Sequence, residues 1–251
     1  MTHPAAPSAP RGVKPPGSGP TPIVALDVPT LEEARGLVGR IGAEAGFYKV
    51  GLQLYTREGP RVVSWLRDAG KRVFLDLKLH DIPNTVRGAA ASAAALGADL
   101  LTVHAIGGAA MVAAAVEGVA GTGGPAPTAV IAVTVLTSFD EAAYAEAIGA
   151  PRVPVRDAVL RLAGVAHAAG ARGVVCAGAE ASAVREAFGG RLHTLVPGLR
   201  PPGVPTHDQA RVATPHDVVS AGATWVVVGR AVTAAPDPAV AYAGIAAALS
   251  A

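Results

Sequence analysis

An acid, a lysine and a second acid follow one apolar run of this sequence, at spacings that could perform acid–base chemistry. The run at residues 72–75 leads into Asp76, Lys78 and Asp81. If this run is a strand, its side chains alternate between two faces, so Asp76 and Lys78 point to the same side. Asp81 then lies in the turn that Pro83 closes before a helix. Charges are costly to remove from water, so the group predicts a functional site; the alternative is a surface ion pair beside a helix cap.

Two further charged residues follow earlier apolar runs. Asp27 closes the run 24–27, and Lys49 lies near the end of the run 48–51. With the first group they would place two cations and three anions at one mouth. Carboxylates nearby favour the ammonium form of a lysine. A fixed ammonium can stabilise a carbanion and then deliver a proton to it.

Residues near the C-terminus are suited to binding a phosphate. The last apolar run ends in Gly229 and Arg230. Backbone N–H groups after the glycine and the arginine fork could hold an anion, although a surface turn is the simpler alternative for a lone Gly-Arg pair. Residues 197–209 form a Pro/Gly-rich stretch that is long for a connector. This length predicts a loop that closes over a ligand.

Short β-rich runs alternate with longer Ala-rich helical segments along the chain. The predicted strands are 23–27, 47–50, 73–77, 100–104, 129–135, 173–176, 193–196 and 225–228. Helical spacing is clearest at 31–41, which Thr30 caps, and at 56–66, 86–96 and 155–168. Eight β-α units predict an α/β fold, a single-domain (β/α)8 TIM barrel over residues 21–251, with a doubly wound sheet as the alternative. The charged residues fall at or after the C-terminal strand ends, the catalytic rim of such barrels, which predicts an enzyme.

Composition excludes several classes of protein. The chain is 51% apolar and its formal net charge is +2 without a Lys/Arg-rich block, which gives no case for nucleic-acid binding. The lone Cys176 excludes an internal disulfide framework and fits a reducing compartment. No run of about 20 uninterrupted apolar residues predicts a membrane span. Residues 1–20 contain six prolines and no apolar segment, which predicts a disordered tail and no signal peptide.

Seven segments together resemble the orotidine 5'-phosphate decarboxylases of the common bacterial type, from Ile23 to the end of the chain. They are ALD at 25–27, YKVG at 48–51, DLKLHDIPNTV at 76–86, VTVLTS at 133–138, VPGLR at 196–200, DQARVATP at 208–215 and VGR at 228–230. The resemblance implies decarboxylation of orotidine 5'-phosphate to uridine 5'-phosphate in de novo pyrimidine biosynthesis, without a cofactor or metal. It also implies a cytoplasmic homodimer with shared active sites.

The resemblance implies the catalytic roles of four residues. Lys78 protonates C6 of the pyrimidine, and Asp76 lies against the substrate carboxylate. Lys49 and Asp81 complete a charged tetrad, and Asp81 comes from the neighbouring subunit.

Roles in substrate binding are implied in the same way. Thr85 lies beside Asp81 near the ribose, and Asp27 and Lys49 hold ribose hydroxyls. Thr137 or the adjacent Ser138 contacts the pyrimidine edge. The phosphate is held by Gln209, Gly229 and Arg230, with Arg200 on the closing loop.

Two other functions remain open from the sequence. A sugar-phosphate decarboxylase or aldolase of the same superfamily shares the spacing of Asp76, Lys78 and Asp81, and typically uses a divalent metal. A nucleotide-binding sensor could keep the fold without turnover, but the intact Lys78 and Asp76 argue against it. The string at 81–86, with Gln209 and the Gly-Arg pair, is more specific to the decarboxylases.

Overall fold

Eight parallel strands close into a barrel in chain order, with the first strand paired to the eighth. The computed structural model describes residues 19–122, 128–200 and 213–250. The strands are β1 Thr21–Ala25, β2 Phe47–Gly51, β3 Arg72–Leu79, β4 Leu100–His104, β5 Ala129–Val133, β6 Gly173–Val175, β7 His193–Val196 and β8 Trp225–Val228. The predicted (β/α)8 barrel is confirmed, and the doubly wound sheet is wrong because the first and last strands are hydrogen-bonded neighbours.

Strand ends differ from the prediction by no more than two residues, and the differences affect the site. β1 ends at Ala25, so Asp27 lies beyond the strand rather than within it. β5 ends at Val133 instead of Val135. β3 extends to Leu79 because its pairing with β4 resumes there after a shift in register. The strand therefore carries Asp76 and Lys78 inside the barrel rim.

Helices follow every strand of the barrel. They are α1 Leu31–Ile41, α2 Leu52–Glu58, α3 Arg61–Asp68, α4 Pro83–Ala95, α5 Gly108–Ala120, α6 Glu141–Ile148, α7 Val155–Ala168, α8 Gly178–Phe188, α9 Pro215–Ser220, α10 Arg230–Thr233 and α11 Pro238–Ala248. The predicted cap is present, since Thr30 Oγ1 accepts a hydrogen bond from the backbone N–H of Glu33 at 3.2 Å. The single helix predicted over 56–66 is wrong. Gly59, at φ 63°, ends α2, and Pro60, which lacks an N–H donor, precedes α3.

The core has two layers, one between the barrel and its helices and one inside the barrel. Phe47 and Trp225, at the N-terminal ends of β2 and β8, are buried inside the barrel. Phe74 lies one layer higher on β3. These side chains fill the lower barrel, so a ligand can enter only from the C-terminal ends of the strands.

Parts of the predicted organisation lie outside the described residues. Residues 1–18, which include most of the Pro-rich tail, are among them, as are residues 201–209 of the predicted closing loop. In the part of the chain that is described, no helix is both long and apolar enough to cross a membrane.

Candidate active site

A cavity of about 520 Å³ opens at the C-terminal ends of the barrel strands. Its floor includes Ala25 and Phe74, the upper side chains of the interior core. Nine residues singled out from the sequence line it: Asp27, Lys49, Asp76, Lys78, Thr137, Ser138, Arg200, Gly229 and Arg230. The barrel thus brings together residues spread over more than 200 positions of the chain, at the rim where barrel enzymes carry their sites.

Charges of alternating sign line one side of this cavity. Lys49 Nζ lies 2.7 Å from Asp27 Oδ1 and 3.7 Å from Asp76 Oδ2. Lys78 Nζ donates to both oxygens of Asp76, at 2.8 and 2.9 Å. Lys49 therefore lies between two carboxylates, and Asp76 lies between two ammonium groups. This arrangement offsets much of the cost of burying Lys49 and Asp76.

Burial and the neighbouring charges shift the pKa of the Asp76 carboxyl group in opposite directions. Burial alone would raise the pKa of this carboxyl group, but the positive charges of Lys49 and Lys78 outweigh that effect. The pKa of Asp76 therefore lies below its ordinary value. The carboxylate remains ionised, and a negative charge stands permanently beside the Lys78 ammonium.

Lys78 reaches Asp76 by an unusual backbone conformation. Regular alternation along a strand predicts both side chains on one face, but Lys78 has φ 50° and departs from the regular strand. Among the described residues it is the one non-glycine residue with positive φ. A lysine is disfavoured there because its Cβ crowds the neighbouring carbonyl, so the surrounding structure must hold it in place.

Gly51 makes room for the ion pair on β2. A Cβ at this position would lie 2.9 Å from Lys49 Nζ and 3.2 Å from Asp27 Oδ1. Any larger residue would therefore displace the Lys49 ammonium or its partner Asp27. This glycine belongs to the YKVG segment at 48–51, and nothing in the sequence pattern indicated this role.

Two arginines and the end of β8 also line the cavity. Gly229 precedes α10, and Arg230 begins it. Arg200 is 6% exposed, and its Nη1 donates to the backbone oxygen of Leu199 at 2.9 Å. The backbone N–H of Arg200 donates to the backbone oxygen of Ala213 at 2.9 Å, and this hydrogen bond joins the two ends of the long loop. Gln209, predicted on that loop, lies outside the described residues.

Two predicted site residues do not enter the cavity of their own chain. Asp81 and Thr85 are exposed and do not line it. Asp81 Oδ1 instead accepts a hydrogen bond from the backbone N–H of Ile82 at 2.6 Å. Within one chain the charged group is therefore Asp27, Lys49, Asp76 and Lys78, without Asp81.

Two threonines at the site were not predicted from the sequence. Thr233 lines the cavity one helical turn after Arg230, and no pattern in the sequence indicated it. Thr102 lies on β4 behind Asp76 and is fully buried. A polar residue two positions before a rim histidine, inside an otherwise apolar strand, was the available signal for it.

One cysteine and two histidines, Cys176, His80 and His104, do not line the cavity. Cys176 is buried in the core between barrel and helices. His104 is partly buried, with its ring 5.6 Å from that of His80. Burial lowers the pKa of His104, and the charges of His80 and Lys78 act in the same direction. Within residues 19–122, 128–200 and 213–250, no three His, Cys, Asp or Glu side chains are grouped to hold a metal ion.

Comparisons with known proteins agree with this geometry. The model of the family described as "Orotidine 5'-phosphate decarboxylase / HUMPS family" matches residues 20–245. The orotidine 5'-phosphate decarboxylase of Anaeromyxobacter dehalogenans is 55% identical over 225 residues, which cover 90% of this chain and 96% of that protein. The enzyme of the same name from Halorhodospira halophila is 50% identical over 232 residues, covering 92% and 97%.

A solved structure supports the same assignment. The crystal structure of orotidine 5'-phosphate decarboxylase from Lactobacillus acidophilus superposes with a TM-score of 0.81 at 36% identity, and the match covers 93% of this chain and 100% of that one. The chain described here belongs to the orotidine 5'-phosphate decarboxylase / HUMPS family.

Proposed function

We propose that this protein decarboxylates orotidine 5'-phosphate to uridine 5'-phosphate, with the Lys78 ammonium as the acid that protonates C6. The observation that carries the proposal is the pair of hydrogen bonds from Lys78 Nζ to Asp76, at 2.8 and 2.9 Å, at the edge of a cavity large enough for a nucleotide. Relatives at 45–55% identity over most of the chain are named for this reaction.

The reaction requires a fixed positive charge beside the reacting carbon. When the bond between C6 and its carboxylate breaks, CO2 leaves and the electron pair stays on C6, in an orbital orthogonal to the ring π system. No resonance sink is available there, so the Lys78 ammonium would stabilise the developing carbanion as the transition state forms. A proton then passes from Nζ to C6, which gives uridine 5'-phosphate and leaves a neutral amine.

Asp76 contributes in two ways to this scheme. Its carboxylate holds the Lys78 ammonium in position by accepting two hydrogen bonds. Because Asp76 stays ionised, it would also repel the substrate carboxylate in the ground state, and that repulsion is relieved as CO2 leaves. Lys49 lies within 3.7 Å of Asp76 and compensates part of its charge when no substrate is present.

The arginine side of the cavity is suited to the phosphate. Arg200, after β7, and Gly229 and Arg230, after β8, line it in the region where barrels of this kind often bind phosphate. Gln209 would join them from the closing loop. Binding energy released there would be used to close the site and exclude water from C6. Asp27 and Lys49 would hold the ribose, and Thr137 or Ser138 the pyrimidine edge.

A homodimer would complete each site. Asp81 and Thr85 are exposed beside Ile82, which is 67% exposed, and near Ile106, which is 45% exposed. Ile82 and Ile106 each follow, by two residues, one member of the His80–His104 ring pair. An exposed apolar patch bordered by a site residue is typical of an interface, so a second copy would cover this patch and receive Asp81 in its own cavity. The buried, reduced Cys176 fits a cytoplasmic location.

A sugar-phosphate decarboxylase or aldolase of the same superfamily is the alternative, so the assay must separate the two reactions. Loss of orotidine 5'-phosphate absorbance would be followed with the full chain, before and after incubation with a metal chelator. Turnover that survives the chelator supports the proposal. Turnover restored only by added divalent metal would overturn it in favour of the sugar-phosphate alternative. Absence of turnover under both conditions would overturn it outright.

The role of Lys78 needs a matched substitution. Lys78→Met removes the ammonium, and we expect kcat to fall at least about 10⁴-fold. Lys71→Met is the control, because Lys71 Nζ donates only to the backbone oxygens of Ala43 and Ala45 among the hydrogen bonds described for it. Equal thermal unfolding of the two variants would exclude a folding defect. A Lys78→Met protein with a tenth of wild-type activity would contradict the assignment.

A further inference from the structure

Thr102 contacts both members of the catalytic pair without entering the cavity. Its Oγ1 donates to Asp76 Oδ1 at 2.9 Å and accepts a hydrogen bond from the backbone N–H of Lys78, also at 2.9 Å. The residue is fully buried on β4 and does not line the cavity. One hydroxyl group therefore links the carboxylate of Asp76 to the main chain of Lys78.

The two strands are out of register at this point. Leu75 pairs with Leu101, and the next described pair is Leu79 with Val103. Between these pairs β3 has three residues, 76–78, and β4 has only Thr102. Such a bulge leaves backbone groups without their ladder partners. The N–H of Lys78 would be one of these groups, and the Thr102 hydroxyl is its acceptor.

The bulge carries the strained residue of the site. Lys78 has φ 50°, a conformation that a lysine adopts only when its surroundings hold it there. A buried N–H without an acceptor would be free to seek one by returning the backbone to the extended region. That rotation would swing the Lys78 side chain away from its present direction. The hydroxyl on β4 opposes this movement.

We propose that Thr102 is a positioning residue for the reaction, holding the Asp76 carboxylate and the Lys78 backbone in the arrangement that places the ammonium at the reacting carbon. The inference rests on the proposed function, because it concerns the geometry of the same proton transfer. Fixed orientation matters for a reacting group, since a misplacement of about 1 Å can cost about 100-fold in rate.

Other buried threonines show what a purely structural hydroxyl does here. Thr128 Oγ1 donates to the backbone oxygen of Ala98 at 2.6 Å, and Thr134 Oγ1 to that of Val175 at 2.7 Å. Both tie neighbouring strands together and contact no charged side chain through these bonds. Thr102 differs because its partners are an ionised carboxylate and the backbone of a lysine.

The test compares Thr102→Ser and Thr102→Ala in the full chain. Both variants lose the methyl group and its packing, and only serine keeps the hydroxyl. We expect kcat for orotidine 5'-phosphate to fall about 10- to 100-fold in Thr102→Ala, as for a lost hydrogen bond to a charged group, and Thr102→Ser to stay within about threefold of the wild type. KM, and the Kd for uridine 5'-phosphate measured by calorimetry, should change less than about threefold in both, since Thr102 does not line the cavity.

Thr128→Val is the matched control, because it removes a comparable buried hydrogen bond at the other end of the barrel. It should lower the melting temperature while leaving kcat unchanged. Equal kcat values in Thr102→Ala and Thr102→Ser would overturn the positioning role, and so would a loss of kcat in Thr128→Val as large as that in Thr102→Ala. In either case, turnover by the wild type would leave the proposed function standing. If Thr102→Ala does not fold, Thr102→Val is compared with the wild type instead. Valine keeps the shape of the side chain but lacks the hydroxyl, so we expect the same loss of kcat. A wild type that does not turn over the substrate would overturn both proposals.

Discussion

The Lys78 ammonium lies 2.8 Å from Asp76 Oδ1, although the Lys78 backbone has the left-handed φ of 50°. In a regular strand the two side chains would share a face by alternation alone. Here the strand is bulged between Leu75 and Leu79, and the contact is made through a conformation that costs free energy. Strain of this kind concentrates where function requires a side chain in one particular place.

The strain at Lys78 predicts an inverted order of stability between two substitutions. Lys78→Gly and Lys78→Ala both remove the charge, but only glycine adopts positive φ without steric cost. Urea unfolding should show the glycine variant to be more stable by about 1 kcal/mol. Lys71→Gly against Lys71→Ala should show the ordinary order, with alanine the more stable. An alanine variant at 78 that equals or exceeds the glycine variant would mean that the backbone there is unstrained.

Arg230 should matter only for a substrate that carries a phosphate. In Arg230→Ala we expect kcat/KM for orotidine 5'-phosphate to fall at least about 30-fold, because a charge-assisted contact to the phosphate is lost. The nucleoside orotidine, assayed at high enzyme concentration, should react within about threefold of its wild-type rate. Arg61→Ala, which removes an exposed partner of Glu58, serves as the control. Equal losses with both substrates would place the phosphate elsewhere.

The shared site can be tested with mixed dimers. If Asp81 enters the partner's cavity, Lys78→Ala and Asp81→Asn homodimers should each be nearly inactive, because every site lacks one group. After an equal mixture is unfolded and refolded, about half of the dimers contain one chain of each kind. One of their two sites then has both Lys78 and Asp81 intact, so activity should recover to roughly a quarter of wild type.

Each variant refolded alone is the control for that experiment and should remain inactive. If mixed dimers are present by mass or charge separation and activity does not recover, Asp81 acts in its own subunit or outside the site.

His193 should make the protein less stable in mild acid. Burial, aided by the charge of Arg172, lowers its pKa to about 4, whereas an unfolded histidine titrates near 6.5. The stabilising contribution of the neutral ring is complete above about pH 6.5 and is lost as the pH falls toward 4, because the unfolded chain binds the proton more readily. We expect a loss on the order of 1–2 kcal/mol after allowance for solvent screening.

His193→Asn removes the titrating ring while keeping a polar group near Thr224, which lies 3.1 Å from Nδ1. Its free energy of unfolding, measured in urea from pH 7 to pH 4, should decline less than that of the wild type. His216→Asn, an exposed site on α9, should decline as the wild type does. The same decline in all three proteins would show that His193 does not titrate in this range.

Strand positions could be predicted from the sequence because they depend on short-range patterns. Each of the eight apolar runs became a strand, since β-branched and apolar residues over four or five positions suffice to favour one. The failure at 56–66 also has a local cause, as Gly59 and Pro60 interrupt an otherwise helical pattern. Charged residues at the site were predictable for a related reason. Parallel strands in a barrel point their C-terminal ends to one rim, so residues after successive strands must meet there.

Relations between strands that are distant along the chain were decided only by the tertiary structure. The hydrogen bond from Thr102 to Asp76 spans 26 residues, and the space that Gly51 leaves for Lys49 and Asp27 depends on how β1 and β2 approach. The left-handed Lys78 likewise follows from the bulge against β4. Register and bulges are set by packing around the whole closed barrel, whereas sequence patterns report on a few neighbouring residues. The sequence by itself therefore determined which groups meet at the rim, and the assembled barrel determined the distances and orientations at which they meet.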